Sequence, residues 1–372
     1  MNKTSNLWTI GKEIVSGPPT LPVGRFGEAT GGGFNSHIFE KIISLENLFL
    51  AWREFKRGKG KKFDVQQFGF NLEDNLFQLH YELKTKSYQP LPYQSFYVSD
   101  PKLRHIHKAA IRDRVVHQAI YRRLYPLFDR QFIFDSYSCR LVKGTHKAVK
   151  RLEDFCRCAS RNYTRPAYGL KCDIKKFFDN IDHDILRVLL RTRVADVEAL
   201  WLVDKVIASF TAKPGKGLPL GNVTSQLFAN IYLNELDQFI KHGLKIKHYL
   251  RYTDDFIIVS QDKNYLADLI EPLEEFLNNK LAIQLHPQKI IIRKLGQGLD
   301  WLGYVILPHY RVLRTKTKRR IFKKTKQKQR LLAAGEINET SFNQTLQSYY
   351  GILKHCRGHK IRKEVENIVE TN

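Results

Sequence analysis

Apolar positions along this chain follow two different periods, and the change from one to the other predicts both helices and strands. Helical spacing with an apolar face occurs in residues 44–55, 71–83, 183–210, 225–240, 262–279 and 341–353, and Ser44 is the candidate N-cap of the first of these helices. Shorter runs rich in β-branched and aromatic residues, at 88–98, 168–173, 247–259, 281–285 and 299–306, are typical of strands. The mixture predicts an α+β fold.

The stretch 247–260 contains the most informative of these strands. Aromatic and β-branched residues flank a short acidic break, Tyr252-Thr253-Asp254-Asp255, which predicts a tight hairpin with both aspartates at its tip. The run after the break is continuously apolar, so its strand should be buried on both faces. Adjacent carboxylates on a buried hairpin are costly without a counter-charge, and a divalent cation is the natural one. The alternative is an acidic turn in water.

A further aspartate at the end of another predicted strand makes the acidic turn in water a weaker interpretation. The strand at 168–173 ends in Asp173, and the apolar pair Phe177-Phe178 follows where the chain turns towards a helix near His183. Three aspartates on two neighbouring strands could hold two Mg²⁺ ions, with Mn²⁺ able to replace them. Mg²⁺ takes few protein carboxylates and completes its octahedron with water and substrate phosphates, so the pattern indicates phosphoryl or nucleotidyl transfer.

Net charge is the strongest signal in the composition. The 372 residues carry 62 Lys and Arg against 37 Asp and Glu, a formal charge of +25. This favours a nucleic-acid partner, and a membrane is disfavoured because no stretch has the roughly 20 apolar residues of a spanning helix. No cationic segment followed by an apolar core opens the chain, and the five cysteines are an odd number. Both observations predict a reducing, cytoplasmic location.

Basic residues are concentrated in three places. Lys102 and Arg104 precede a long helix whose polar face, around Asp113, is expected to be solvated and salt-bridged. Residues 134–148 interleave aromatic and basic side chains, which suits a single-stranded template; a core loop with incidental charge is the alternative. Nine of the fifteen residues at 316–330 are basic and none is acidic, so this segment should lie along a phosphate backbone.

In their order along the chain, these features resemble the motifs of a reverse transcriptase. The motifs are Asp173 with an aromatic residue five places on, Gly217-Leu218-Pro219-Leu220-Gly221, Tyr252-Thr253-Asp254-Asp255, Lys289 and Leu302-Gly303-Tyr304. The resemblance covers residues 45 to 355 and implies a right-hand polymerase: fingers at 36–165, a palm at 166–305 with finger elements partly interleaved, and a small basic helical thumb at 306–372. Residues 1–35 are predicted to be a flexible tail.

The resemblance also implies roles for individual residues in RNA-directed DNA polymerisation. Asp173 and Asp254 would ligate the catalytic metals with Ile174 beside them, Asp255 would support them, and Lys289 would protonate the leaving pyrophosphate. The residues that would bind the incoming dNTP are Lys102, Arg104, Phe178, Leu220, Gly221 and Gln226, and the Phe178 ring would exclude a 2′-hydroxyl. The residues that would contact the template RNA or the DNA or RNA primer are Arg140, Lys143, His146, Leu302, Gly303, Tyr304, Lys316, Arg319, Arg320, Lys323 and Lys324.

One segment indicates which branch of the reverse transcriptases this chain resembles. Residues 220–226, Leu-Gly-Asn-Val-Thr-Ser-Gln, resemble the variant of diversity-generating retroelement enzymes, whereas most reverse transcriptases have Gln where Leu220 stands. This implies error-prone copying for mutagenic retrohoming, together with an oligomer of a small basic accessory variability protein.

Three alternative functions compete with this interpretation, and two of them are disfavoured. The first is a stand-alone bacterial reverse transcriptase in anti-phage defence. A catalytically silent RNA-binding protein is disfavoured because the aspartates are intact. A group II intron mobility protein is disfavoured because the chain ends shortly after the thumb and lacks paired Cys-x-x-Cys spacing.

Overall fold

The computed structural model describes residues 37–99 and 103–370, so the predicted tail and Lys102 lie outside the described residues. Within these ranges the chain forms fifteen α-helices and nine β-strands, and the strands belong to three sheets. The predicted α+β class is confirmed. None of the described helices is both long and apolar enough to cross a membrane.

The N-terminal part is mostly helical. Its elements are α1 (Ile38–Ile43), α2 (Leu45–Lys56), α3 (Phe63–Phe70), α4 (Leu72–Lys84), β1 (Gln94–Val98), β2 (Arg104–Lys108), α5 (Ile111–Asp129) and α6 (Thr145–Ala159). Helix α2 begins at its predicted N-cap, since the Ser44 hydroxyl accepts from the Asn47 N–H. The buried Asn47 amide donates to the carbonyls of Ile42 and Ala119, which joins α1 and α2 to α5.

The central part contains the sheet that carries the aspartates. Its elements are β3 (Tyr168–Asp173), α7 (Phe177–Asn180), α8 (His183–Arg191), α9 (Val197–Ala208), α10 (Val223–Gln238), β4 (Tyr249–Tyr252), β5 (Asp255–Ser260), α11 (Lys263–Asp268), α12 (Ile270–Leu281) and β6 (Ile291–Lys294). The antiparallel sheet has the order β4-β5-β3-β6. Residues 256–259 of β5 are all buried, as their continuous apolar run predicts.

The C-terminal part adds a three-stranded antiparallel sheet and three helices. They are β7 (Leu299–Trp301), β8 (Tyr304–Leu307), β9 (Tyr310–Leu313), α13 (Thr315–Ala333), α14 (Glu339–Leu353) and α15 (His359–Glu370). The predicted hairpin at 299–306 is confirmed. Strand β9 and helix α15 are not predicted by the hydrophobic pattern.

Two apolar cores lie beneath these elements. The larger one is formed by helices α1 to α5, α8 to α10 and α12 together with the central sheet. The second unites α6 with the sheet β7–β9 and helices α13 to α15, around the fully buried Trp301. Helix α6 therefore shares its core with the C-terminal elements, and the division at 165 and 305 stays a prediction.

Two predictions made from the hydrophobic pattern are wrong. Residues 281–285 are not a strand: Leu281 ends α12, Ala282 takes a left-handed conformation with φ 49°, and Leu285 forms only an isolated bridge with Ile174. Asp113 is not solvated but 1% exposed. Its carboxylate accepts from the Tyr88 hydroxyl at 2.8 Å, and burial raises its pKa. Helical spacing alone does not reveal that the segment before β1 covers this face of α5.

Candidate functional site

The sheet brings the three predicted aspartates to one end. In the antiparallel pair of β3 and β5, Asp173 lies directly opposite Asp255. Tyr252 pairs with Asp255 across β4 and β5, so Thr253 and Asp254 form the two-residue turn between these strands. The strand register therefore places the Asp254 turn beside the end of β3.

These carboxylates interact strongly with one another. Burial, and then the charge of Asp173, raise the pKa of Asp254. Burial raises the pKa of Asp255 to about 6; the cation of Lys171 opposes the rise, whereas Asp173 and Asp254 add to it. Asp254 and Asp255 are therefore held where a further negative charge is unfavourable, and a bound cation would relieve that repulsion.

Two basic side chains reach the site from outside the sheet. The Lys289 ammonium pairs with the Asp173 carboxylate. Its segment is fixed to the end of β3, because the His286 N–H donates to the Asp173 main-chain oxygen at 2.8 Å. The charges of Lys289 and of Arg104, on β2, both act against the rise in the pKa of Asp254. The predicted residues Arg104 and Lys289 are thus near the aspartates.

A buried ion pair between β4 and α10, which the hydrophobic pattern does not predict, supports the hairpin. Arg251 and Asp237 are both fully buried, and the guanidinium donates to the carboxylate through Nε at 2.8 Å and Nη2 at 2.7 Å. Nη1 donates to the Thr253 carbonyl at 3.0 Å. The one available signal is an arginine in an otherwise apolar strand two residues before the turn.

The turn itself has a strained residue that its neighbours hold. Thr253 has φ 56°, a region that costs energy for a β-branched residue. Its hydroxyl donates to the Ser138 hydroxyl at 2.7 Å, and its carbonyl accepts from Arg251. These contacts fix the conformation of the main chain at Thr253, the residue before Asp254 in the turn.

The glycine-rich loop before α10 packs beside the aromatic pair after β3. The Leu218 N–H donates to the Phe178 carbonyl at 2.8 Å. Gly221 has φ 119°, and a Cβ there would touch Ile106 of β2 at 3.6 Å. Leu220 is half-buried next to it, whereas Gln226 is exposed in the first turns of α10. The structure thus brings together Phe178, the loop and the hairpin that carries Arg104.

The donor set fits a hard divalent cation. The three aspartates supply carboxylate oxygens, and Ile174 can add only its main-chain carbonyl. No group of three His, Cys, Asp or Glu side chains within the described ranges converges closely enough to hold an ion unaided. A cation that takes part of its coordination from water and substrate phosphates suits such a site better than one that needs a complete protein cage.

Several of the predicted nucleic-acid contacts have other partners in the structure. The Arg140 side chain is only 8% exposed and donates to Asp129 and to the carbonyls of Ile133 and Ser136, so its surroundings do not support a contact with nucleic acid. Tyr304 is buried, with its hydroxyl 3.1 Å from the Ile352 carbonyl, so only the turn at Leu302 and Gly303 stays accessible in that motif.

The other predicted contacts are more accessible. The Lys143 ammonium lies over the Phe134 ring at 3.4 Å, and the exposed His146 ring stacks on His355 at 3.7 Å. Helix α13 turns Ile321 and Thr325 inward. Its predicted basic residues Lys316, Arg319, Arg320 and Lys323 are exposed, and Lys324 is half-exposed.

Comparisons with known proteins agree with this arrangement. Residues 99–306 match the family model described as reverse transcriptase (RNA-dependent DNA polymerase). Protein YkfC of Escherichia coli K12 is 27% identical over 266 residues, which are 61% of this chain and 69% of YkfC. The group II intron-encoded protein LtrA of Lactococcus lactis is 24% identical over 346 residues, 73% of this chain and 56% of LtrA. The chain thus spans only about half the length of LtrA.

Solved telomerase structures are more distant. One from Candida albicans has a TM-score of 0.46 and 12% identity, with 79% of this chain and 64% of that one covered. That level of similarity is too low for a conclusion about this chain.

Fold and site together define the palm of a right-hand polymerase. The family match covers more than half of the chain. The chain therefore belongs to the reverse transcriptase family, with group II intron-encoded proteins among its relatives.

Proposed function

We propose that this protein is an RNA-directed DNA polymerase that makes cDNA from a template RNA by nucleotidyl transfer, with two Mg²⁺ ions that Mn²⁺ can replace. The observation that carries the proposal is the strand register: Asp173 pairs with Asp255 next to the turn that holds Asp254. Lys289 and Arg104 bring positive charge to the same point. The substrates are then dNTPs, a template RNA and a DNA or RNA primer.

Each side chain of the site has a separate role in the proposed reaction. Asp173 and Asp254 would hold the metals, with Asp255 in support and the Ile174 carbonyl beside them. When bound there, the ions would supply a lowered pKa of the primer 3′-hydroxyl and positive charge to offset that on the α-phosphate and the leaving pyrophosphate. Arg104 holds the triphosphate through its planar fork, and Lys289 is close enough to Asp173 to give its proton to the departing pyrophosphate.

We further propose that copying is error-prone and serves mutagenic retrohoming of a diversity-generating retroelement, with an oligomer of a small basic accessory variability protein as partner. The support is Leu220, which precedes Gly221 in the glycine-rich loop; the Leu218 N–H of the same loop donates to the Phe178 carbonyl. A Gln there could position the incoming nucleotide through a hydrogen bond, which a leucine cannot make. A net hydrogen bond is worth about 0.5–1.5 kcal/mol, and about 1.4 kcal/mol is a factor of ten in discrimination.

The deciding experiment is extension of a DNA primer on an RNA template by the purified protein with Mg²⁺, followed by sequencing of the products. Asp254→Ala is the control. Extension that Asp254→Ala abolishes, with errors concentrated opposite adenine, supports both proposals. Faithful extension keeps the polymerase and favours the anti-phage defence alternative. Absence of extension with the native RNA and accessory protein added overturns the polymerase itself.

A further inference from the structure

The outer face of helix α4 carries exposed aromatic side chains that the polymerase reaction does not use. Phe70, at the end of α3, is 88% exposed, and Phe77 and Tyr81 on α4 are 50% and 62% exposed. Phe77 and Tyr81 are about one helical turn apart, so their rings lie on the same side of α4. Large apolar side chains grouped in this way at a surface are typical of a protein–protein contact.

The same face is acidic, although the protein as a whole is strongly basic. Residues 63–83 contain four acidic residues and no Lys or Arg, whereas the complete chain has a formal charge of +25. Two of the four form ion pairs with β2 and α5, but Glu73 and Asp74 are exposed and have no ion pair within the part of the chain that the structure describes. Their carboxylates repel nucleic acid and anionic lipid, and they attract the cations of a partner.

Helix stability alone does not explain this surface. Glu73 and Asp74 stand in the first turn of α4, where acidic side chains favour the helix. That position accounts for the negative charge, but it does not account for the exposed rings beside it. A face that combines both features is suited to a ligand that is apolar and positively charged at once.

A cavity of about 510 Å³ opens beside this face, between α3, α4, the β1–β2 hairpin and the start of α5. Gln78 lines the cavity and lies four residues after Asp74 and three before Tyr81. Because residues at these spacings are neighbours on a helix, the cavity and the acidic aromatic face are continuous along α4. None of the residues proposed to bind metal, nucleotide or nucleic acid lines it.

The cavity offers hydrogen-bond acceptors. The Gln78 amide donates to the Glu82 carboxylate at 3.1 Å, and the Asn75 amide donates to the Phe68 carbonyl at 2.9 Å. Both amide nitrogens are thus used within the protein, and their side-chain oxygens remain acceptors at the cavity. The charged ends of Lys and Arg side chains carry only donors, so they match this lining.

We propose that the α4 face, formed by Phe70, Glu73, Asp74, Phe77 and Tyr81, is the docking surface for a basic protein whose lysines and arginines surround apolar side chains. The three rings pack on the apolar part of the partner, the two carboxylates meet its cations, and one Lys or Arg enters the cavity. The small basic accessory protein has the required charge, so this choice of occupant rests on the proposed function.

The test uses the full chain and the purified accessory protein, both free of nucleic acid. Calorimetry measures their binding for the wild type, for Phe70→Ala/Tyr81→Ala and for the matched control Val197→Ala/Tyr265→Ala, which removes two exposed apolar side chains from α9 and α11. The Kd should rise by about tenfold or more in the first variant only, since aromatic anchors dominate binding energy. Primer extension without the accessory protein should stay at the parental rate in both variants, which also shows that both fold.

Salt dependence separates the acidic face from the remaining charge. Two proteins that are both net basic repel one another, so added salt should strengthen a contact made through their overall charge. Docking at Glu73 and Asp74 should instead weaken as salt rises. Glu73→Gln/Asp74→Asn should remove that weakening, whereas the control Glu271→Gln/Glu275→Gln, which neutralises two exposed carboxylates on α12, should keep it.

Equal binding of the accessory protein to Phe70→Ala/Tyr81→Ala and to its control overturns the inference and leaves the proposed function intact. Absence of binding to the wild type overturns the inference together with the proposed accessory partner, while primer extension still decides whether the chain is a polymerase. Sedimentation velocity of the wild type alone covers a different occupant. Self-association that Phe70→Ala/Tyr81→Ala abolishes would assign the face to a second copy of this chain and overturn the choice of a basic accessory protein.

Discussion

At the residue scale, the site is defined by clustered carboxylates whose negative charge the neighbouring cations offset only in part. Burial raises the pKa of Asp255 to about 6, with Asp173 and Asp254 adding to the effect. A proton and a cation therefore compete for the same carboxylate near neutral pH. The prediction that these aspartates form one cluster comes from their positions at strand ends, whereas their mutual repulsion depends on the register, which the sequence does not show.

This competition predicts the pH dependence of metal use. As the pH falls through about 6, Asp255 becomes protonated, so the Mg²⁺ concentration for half-maximal primer extension should rise, by up to about tenfold per pH unit. The measurement is a Mg²⁺ titration of extension at several pH values, with binding of the template–primer measured in parallel as the control. A half-maximal Mg²⁺ concentration that does not change below pH 6 would contradict the expectation.

Leu220 carries the prediction about fidelity. Leu220→Gln restores a side-chain amide beside the incoming nucleotide and should reduce misincorporation opposite template adenine by about tenfold, the effect of one hydrogen bond. Product sequencing on one RNA template compares it with the parent, and Leu220→Met, which adds no donor, is the matched control. Indistinguishable adenine error rates in Leu220→Gln and the parent would remove this role for Leu220.

At the element scale, strand β4 depends on a buried ion pair. Arg251→Met leaves the Asp237 carboxylate buried without its partner, and we expect a loss of about 3–5 kcal/mol in the free energy of unfolding. The double variant Arg251→Met/Asp237→Leu should recover most of that loss, since it leaves no unpaired charge. Denaturant unfolding measures both; an Arg251→Met protein as stable as the parent would show that the pair does not support the hairpin.

Helices α5 and α10 meet at a second buried titratable group. Burial lowers the pKa of His117 to about 3, so the folded state keeps it neutral while the unfolded chain binds a proton below about 6.5. The stability due to neutral His117 is thus present above pH 6.5 and lost as the pH falls towards 3, by about 1.4 kcal/mol per unit. His117→Gln should flatten this slope in denaturant unfolding; equal slopes would contradict the assignment.

Elements with one strong local signal could be predicted from the sequence, and those defined by distant partners could not. The hairpin of β4 and β5 and the Ser44 cap of α2 depend on neighbouring residues, and both are found. The burial of Asp113 and of the Arg251–Asp237 pair depends on segments far away in the chain, so the pattern misassigns the first and misses the second. Residues 281–285 have strand-like composition, but the end of α12 and the link to Ile174 decide their conformation.

At the scale of the whole molecule, the fold exposes part of the net positive charge on the surface of helix α13. The formal charge of +25 cannot be read from any one motif. Part of it lies on helix α13, which buries Ile321 and Thr325 in the C-terminal core and turns basic side chains outward. Because α6 and residues of β4 and β5 belong to the same core, α13 packs together with elements that flank the aspartates. A template–primer duplex leaving the aspartates would then meet the basic surface of α13.

Because the basic residues of α13 are distinct from the aspartates, substitutions on α13 should weaken retention of the template–primer duplex without slowing the chemical step. Lys316→Gln/Arg319→Gln/Lys323→Gln should weaken template–primer binding, with the salt slope reduced by up to about 0.9 for each lost phosphate contact, and should shorten products. Single-nucleotide addition at saturating template–primer should stay near the parent rate, because the aspartates are untouched. The matched control is Arg191→Gln/Lys263→Gln/Lys280→Gln, three exposed charges on α8, α11 and α12. Product lengths that fall equally in both variants would mean that net charge, and not the surface of α13, retains the duplex.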